Sequence, residues 1–412
     1  MKYIHNIIEK LSDKISLYKN LFHKREFIIA FLSLSFLGAG FAYFGLSSVF
    51  SDTYTRTAFS GALVIYPEFA PEAAHIKTPK FVRAVYMTQC VAGTPKLRER
   101  VASLIDDTEL NAIVIDIKDY TGTIAFESDH ALLRDNKGTG CKISDIESFI
   151  ASLHKRGIYV IGRITVFQDP WFSVYYPSEA VQKESDKSIW RDYKGLSYVD
   201  AGSLKMWDYI AAISNTSWRL GVDELNFDYI RFPSDGNMKD IYYPYSEEII
   251  LGNHTTGKAE VLRDFFSYLS KELSDIRKDG AALSADLFGM TMTNKDDLNI
   301  GQILEYDEPY FDFVSPMVYP SHYPPRFMGY DNPNHYAYEI VKYSMDKGVA
   351  RLIAASSTQD KIRPWLQDFD YGGIYDAAKV RAQIQAVYDA GLTSWMLWDP
   401  SNIYTREALF EE

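Results

Sequence analysis

From residue 82 onward, short apolar runs rich in β-branched and aromatic residues alternate with longer stretches whose apolar positions follow a helical period. The runs are Val82–Thr88, Ala112–Asp119, Tyr159–Phe167, Glu224–Phe232, Ala282–Gly289, Phe313–Tyr319, Arg363–Phe369 and Thr393–Trp398. Strands buried on both faces read this way, because neither side is exposed to impose a polar alternation. The seventh run contains Pro364, and Leu352–Ser356 is an alternative to it. Helical stretches lie between them, for example Pro95–Asp107, Ser144–Arg156, Leu204–Leu220, Lys258–Lys278 and Ala377–Ala390. Gly157, Gly221, Gly280 and Gly391 stand where each helix should end before the next strand.

Eight strand–helix units over residues 81–412 predict one α/β domain, a single (β/α)₈ TIM barrel. A doubly wound open sheet is the alternative, but no glycine-rich phosphate turn follows the first strand. The polar and aromatic segments 168–203 and 234–257 are expected as loops over the mouth. Residues 51–80 have no clear period and read as a stalk or an irregular packing arm.

The first 50 residues change the picture. Residues 27–50 form an uncharged apolar run of 24, long enough to cross a bilayer as a helix. The basic leader 1–26 before it carries a net charge of +3, which puts the N-terminus in the cytoplasm and the barrel outside. A cleaved signal peptide competes, yet the run starts late, is longer than a signal core and ends without a convincing cleavage site. The chain therefore reads as a transmembrane signal anchor followed by an extracytoplasmic domain at the cell membrane. Its net charge is −12, leaving −15 beyond residue 50. With no basic patch, nucleic acid is not expected as a partner, and a neutral or cationic substrate suits the acidic exterior. Cys90 and Cys141 would fall in neighbouring loops, as a disulfide or as two free thiols.

Candidate chemistry sits at the ends of the strands. Alternation along a strand places Asn226, Asp228 and Ile230 on one face, and Ser284, Asp286 and Phe288 on another. In the second strand Val114, Asp116 and Lys118 align. If these faces point inward, Asp228, Asp286, Asp116, Lys118 and Arg163 meet near the mouth. So many buried charges form either a paired structural interior or an active site. Glycoside cleavage needs one carboxyl to protonate the leaving oxygen and a second to attack carbon or activate water. Asp286 is the expected acid and Asp228 the nucleophile or base, kept ionised by Arg231. Tyr319, Trp365 and Trp398 stand at strand ends, where their rings could stack on sugars, with Gln367, Arg163 and Asn402 to hydrogen-bond hydroxyls. Scattered histidines without ligand spacing and the lack of a Gly-x-Ser-x-Gly elbow point to no metal, no other cofactor and no serine nucleophile.

Several of these stretches resemble an uncharacterised family of TIM-barrel proteins described as glycoside hydrolases. They include VRAVY (82–86), VIDIKD (114–119), GIYVIGR (157–163), FDYIRFP (227–233), SPMVYP (315–320), RPWLQDF (363–369) and WMLWDPSN (395–402). The resemblance spans about residues 81–405 and implies a poly- or oligosaccharide substrate. DELNFD (223–228) is also similar to the fourth-strand motif of α-amylase-type barrels, in which the last Asp is the nucleophile. Asn226 replaces the Arg of that motif, and Asp286 replaces its glutamate acid. The pattern thus implies the position of Asp228 more firmly than its role. A non-catalytic carbohydrate-binding barrel organising the envelope, or a transglycosylase, would use the same residues.

Overall fold

The computed structural model of the chain describes residues 73–411. Eight parallel strands close into a barrel in sequence order: β1 (Arg83–Met87), β2 (Ala112–Lys118), β3 (Tyr159–Thr165), β4 (Glu224–Asp228), β5 (Ala282–Phe288), β6 (Phe313–Met317), β7 (Trp365–Gln367) and β8 (Trp395–Trp398), with β8 pairing back onto β1. Each lies inside a run picked out by its apolar character. Several runs extend past their strands, among them the third, by Val166 and Phe167, and the fourth, by four residues, Tyr229 to Phe232. β7 is only three residues long and begins just after Pro364, which has no N–H to offer a ladder.

Six main helices cover the barrel: α1 (Pro95–Asp106), α2 (Ile146–Lys155), α3 (Leu204–Arg219), α4 (Gly257–Glu272), α5 (Ala337–Ala354) and α6 (Ala377–Asp389). The alternative seventh strand, Leu352–Ser356, is instead the end of α5 and the turn after it. Ile340, Val341, Met345, Gly348 and Leu352 form the buried face of that helix, so Leu352 is its last core residue. The predicted stretch Lys258–Lys278 breaks at Leu273 into α4 and a short helix, Ser274–Lys278. Only one-turn helices, such as Leu304–Asp307, connect β5 to β6. Gly157 and Gly221 have φ of 76° and 101°, a left-handed conformation that lets the chain leave α2 and α3 and turn directly into a strand.

The N-terminal end of the barrel is closed by paired charges and by the arm that enters the domain. Both carboxylate oxygens of Glu224, the first residue of β4, accept from Arg363 Nη1 at 2.8 and 2.9 Å. Tyr159 donates to the same carboxylate at 3.1 Å, and its hydroxyl also meets Thr78 of the arm. Asp223 fixes the arm from beside it. Its carboxylate accepts from Ile76 N at 2.7 Å and pairs with His154 Nε2 at 2.9 Å, while His75 stacks on Trp218. Burial alone would raise the Asp223 pKa, but these partners outweigh it and hold the pKa below the ordinary value.

At the other end a disulfide joins Cys90 to Cys141, with Cα atoms 5.0 Å apart, so the loops after β1 and β2 are tied together. The apolar run 27–50 lies outside the described residues. Among the described residues no helix is long and apolar enough to cross a membrane.

The Glu224–Arg363 pair is buried on both sides. Arg363→Met should therefore strand the carboxylate and cost about 3–5 kcal/mol in chemical denaturation, whereas Glu224→Leu with Arg363→Met should recover most of that loss. Equal stability of the single and double variants would show that the ion pair is not what closes this end.

Candidate active site

The site is built from the outlets of β1 to β5. Asp116 on β2 and Arg163 on β3 are register partners, so their side chains enter the barrel side by side. Asp228 is the last residue of β4, opposite Thr165 of β3, and Asp286 comes from β5. All four side chains are buried, with Asp228 4 % and Asp286 1 % exposed.

The Arg163 guanidinium organises them. Its Nε donates to Asp228 Oδ2 at 3.1 Å, its Nη2 donates to the same oxygen, and its Nη1 donates to Asp116 Oδ1 at 2.6 Å. Asp286 Oδ2 lies further off, 3.9 Å from Nε. Tyr86 donates its hydroxyl to the other oxygen of Asp116, and its ring stacks on Trp398 at 3.9 Å. Arg163 lies over both rings. Burial alone would favour loss of the arginine proton, but the Asp228 and Asp116 charges more than offset it, so Arg163 stays cationic.

One cation among three carboxyls cannot balance them all. The imbalance falls mainly on Asp286, whose pKa is raised well above the ordinary carboxyl value, first by burial and then by the Asp228 charge. Arg163 and two hydrogen bonds act in the opposite direction without cancelling the shift. Those bonds come from Asn226 Nδ2 at 2.9 Å and Trp365 Nε1 at 2.8 Å, and both end on Oδ1. Oδ2 is therefore the oxygen left to carry the proton. Asp228 is held differently: Oδ2 faces Arg163 and Oδ1 accepts from Tyr229 N at 2.5 Å. The cluster thus places a carboxyl whose pKa is raised beside one that touches the guanidinium directly. Asp116 is also raised by burial, against the pull of Arg163 and Tyr86.

A cavity of about 880 Å³ opens over this cluster, with Tyr86, Asp116, Arg163, Tyr198, Tyr229, Arg231 and Trp398 in its wall. Asp228 and Asp286 are not wall residues and connect to it through Arg163. Of the positions expected from sequence, Asp228, Asp286, Asp116 and Arg163 come together. Tyr319 lies close enough that the Asp286 and Asp228 charges reinforce the effect of burial in raising its hydroxyl pKa.

Others have different surroundings. A register shift after Asp116 interrupts the alternation of β2, so Lys118 does not follow Asp116 inward. Its ammonium pairs with Asp169 at 2.8 Å, with both side chains fully buried. Arg231 lines the cavity but donates to Ser234 Oγ and Phe232 O; the partner of Asp228 is Arg163. Trp365 is only 1 % exposed and serves as a donor to Asp286, not as an open stacking surface. Gln367 is spent on Ser321 N and Phe369 O, and Asn402 on Thr88, Tyr86 O and Asp399 O, so both hold loops together. Tyr86 and Asn226 are contributors that the sequence reading left without a role. The inward alternation of Val82, Ala84 and Tyr86 was the available signal for the first.

Because the Trp365 hydrogen bond stabilises the ionised form of Asp286, Trp365→Phe should raise the Asp286 pKa further. The alkaline limb of any activity requiring protonated Asp286 should then move to higher pH. A limb that stays in place would separate Trp365 from the acid.

The family model described as "Putative glycosyl hydrolase domain" matches residues 84–404. No curated protein matches the chain. Among solved structures, a hypothetical protein from Ruminiclostridium thermocellum is 30% identical, covering 49% of this chain and 96% of that one with a TM-score of 0.41. The PgaB (BpsB) glycoside hydrolase domain from Bordetella bronchiseptica has a TM-score of 0.57 at 16% identity, over 80% of this chain and 99% of that one. A GH20 exo β-N-acetylglucosaminidase from Vibrio harveyi has a TM-score of 0.52 at 13% identity, over 81% and 55%. The last two likenesses concern the barrel fold. With the family model spanning all eight strands and the acid cluster, the chain belongs to this glycosyl hydrolase family.

Proposed function

We propose that this protein is a membrane-anchored, extracytoplasmic glycosidase that cleaves a polysaccharide, with Asp286 as general acid and Asp228 as nucleophile or base. The observation that carries the reading is the unequal sharing of Arg163. It leaves Asp286 with a raised pKa and no cation in hydrogen-bond contact, and Asp228 on the adjacent strand in contact with the guanidinium. In the reaction, Asp286 Oδ2 passes its proton to the glycosidic oxygen as the bond to the anomeric carbon breaks. Asp228 then forms a bond to that carbon, or takes a proton from the water that does. Asp116 and Tyr86 keep Arg163 in place, and Trp398 offers a ring face at the cavity wall.

The extracytoplasmic placement rests on the charge-free run 27–50 behind a basic leader, and the Cys90–Cys141 bridge supports it. Full-length protein should fractionate with membranes, while residues 51–412 should not. Equal solubility of the two would overturn the anchor.

For the chemistry, residues 51–412 should release reducing ends from at least one member of a polysaccharide panel. Asp228→Asn and Asp286→Asn should each lower the rate by about 10²–10⁴-fold with the fold retained by circular dichroism. Activity that survives Asp228→Asn would remove it as nucleophile or base. Binding without release in the parent would favour a carbohydrate-binding barrel.

A further inference from the structure

A second wing of the mouth, at the ends of β6 and β7, is used neither by the acid cluster nor by the polar cavity. Here Tyr319 makes edge contacts with Phe369 at 5.7 Å and with His322 at 5.3 Å. His322 continues the series, 6.3 Å from Phe369 and 6.0 Å from Tyr371. The four rings form one ramp whose exposure rises outward. Tyr319 is 6 % exposed, Phe369 is half-buried, His322 is exposed, and Tyr371 at the top is 63 % exposed.

The ramp begins near the acids, because its deep member, Tyr319, packs in the same cluster as Trp365, the donor to Asp286. Loss of hydration among the rings, then the charge of Lys194, lowers the His322 pKa, so that imidazole is a neutral planar surface near neutral pH. Lys194 is itself part of the cavity wall, which makes the cavity and the ramp neighbours across the mouth. An isolated exposed tyrosine is ordinary. Four graded rings leading down to a carboxyl pair form a surface that only a ligand at the mouth would cover.

We infer that the Tyr319–Phe369–His322–Tyr371 ramp is a glycan-binding subsite on which the apolar C–H faces of successive sugar rings stack. The occupant is a neutral stretch of polysaccharide, extending from the acid cluster towards β6 and β7 while the part on the far side enters the polar cavity. This rests on the glycosidase reading for the nature of the occupant, and it adds the direction of the chain and the residues that grip it.

Affinity electrophoresis of residues 51–412 in gels containing soluble starch, hydroxyethyl cellulose, xylan or glycol chitin tests it, run cold to limit turnover. At least one gel should retard the parent. Tyr371→Ala should weaken that retardation roughly tenfold, and Tyr371→Trp should retain it. Tyr371 is exposed, so loss of folding does not confuse the result. Equal retardation of the parent and Tyr371→Ala would overturn the ramp, as would a parent retarded by none of the four. Reducing-end release measured separately keeps the two readings distinct: release without any retardation difference sinks the ramp alone, and a retardation difference without release sinks the hydrolase alone.

Discussion

The Arg163 guanidinium has to satisfy three carboxyls that β2, β4 and β5 bring into one buried space, and the character of the site follows from its failure to satisfy them equally. It makes two hydrogen bonds to Asp228 and one to Asp116, and reaches Asp286 only at 3.9 Å. An ionised carboxyl in such a place needs either a counter-charge in contact or a full set of donors. Asp286 has two donors on one oxygen and no close cation, so a proton is the lowest-energy partner for the other oxygen. Backbone geometry therefore gives chemically identical side chains unequal electrostatic surroundings.

The opposite end of the same barrel provides the comparison. Glu224 and Arg363 are as deeply buried as the mouth residues, yet there is one cation for one carboxylate, and Tyr159 donates to that carboxylate as well. Buried charge alone thus does not distinguish structure from chemistry in this molecule. The floor is neutral as a unit and is sealed by the arm through Asp223, Ile76 and Thr78. The mouth carries surplus acid beside an open cavity.

Much of this was legible in the sequence because a barrel strand announces itself twice, by an apolar run and by a polar residue at its outlet. Asp228 and Asp286 were readable from the period-two face of β4 and β5. Arg163 is readable as a mouth residue, but sequence proximity points to Arg231 as the partner of Asp228, whereas the structure supplies Arg163. Contacts between strands depend on register, and register is invisible in a single chain. The same limit explains Lys118: one irregularity after Asp116 breaks the alternation on which its placement was based. Trp365, Gln367 and Asn402 were readable as polar or aromatic groups at strand ends, but whether such a group faces a ligand or a neighbouring loop depends on the loops. Those loops bury all three.

The division of the mouth into an enclosed cavity and an open ramp of rings has a topological origin. The cavity side is formed by the outlets of β8 and of β1 to β4, where the loops after β1 and β2 are cross-linked at Cys90–Cys141 and the long segment after β3 supplies Tyr198 and Lys194. Those loops are large enough to enclose space and to surround it with polar groups. The loops after β6 and β7 instead present single rings at successive heights, from Tyr319 to Tyr371. A sugar ring has hydroxyls around its edge and C–H groups on its faces, so it needs hydrogen-bonding groups where it is enclosed and flat apolar surfaces where it slides through. The acids lie where the two kinds of wall meet. On the proposed reading, a polymer lying across both would have one glycosidic oxygen held at that junction while the chain on either side stays bound.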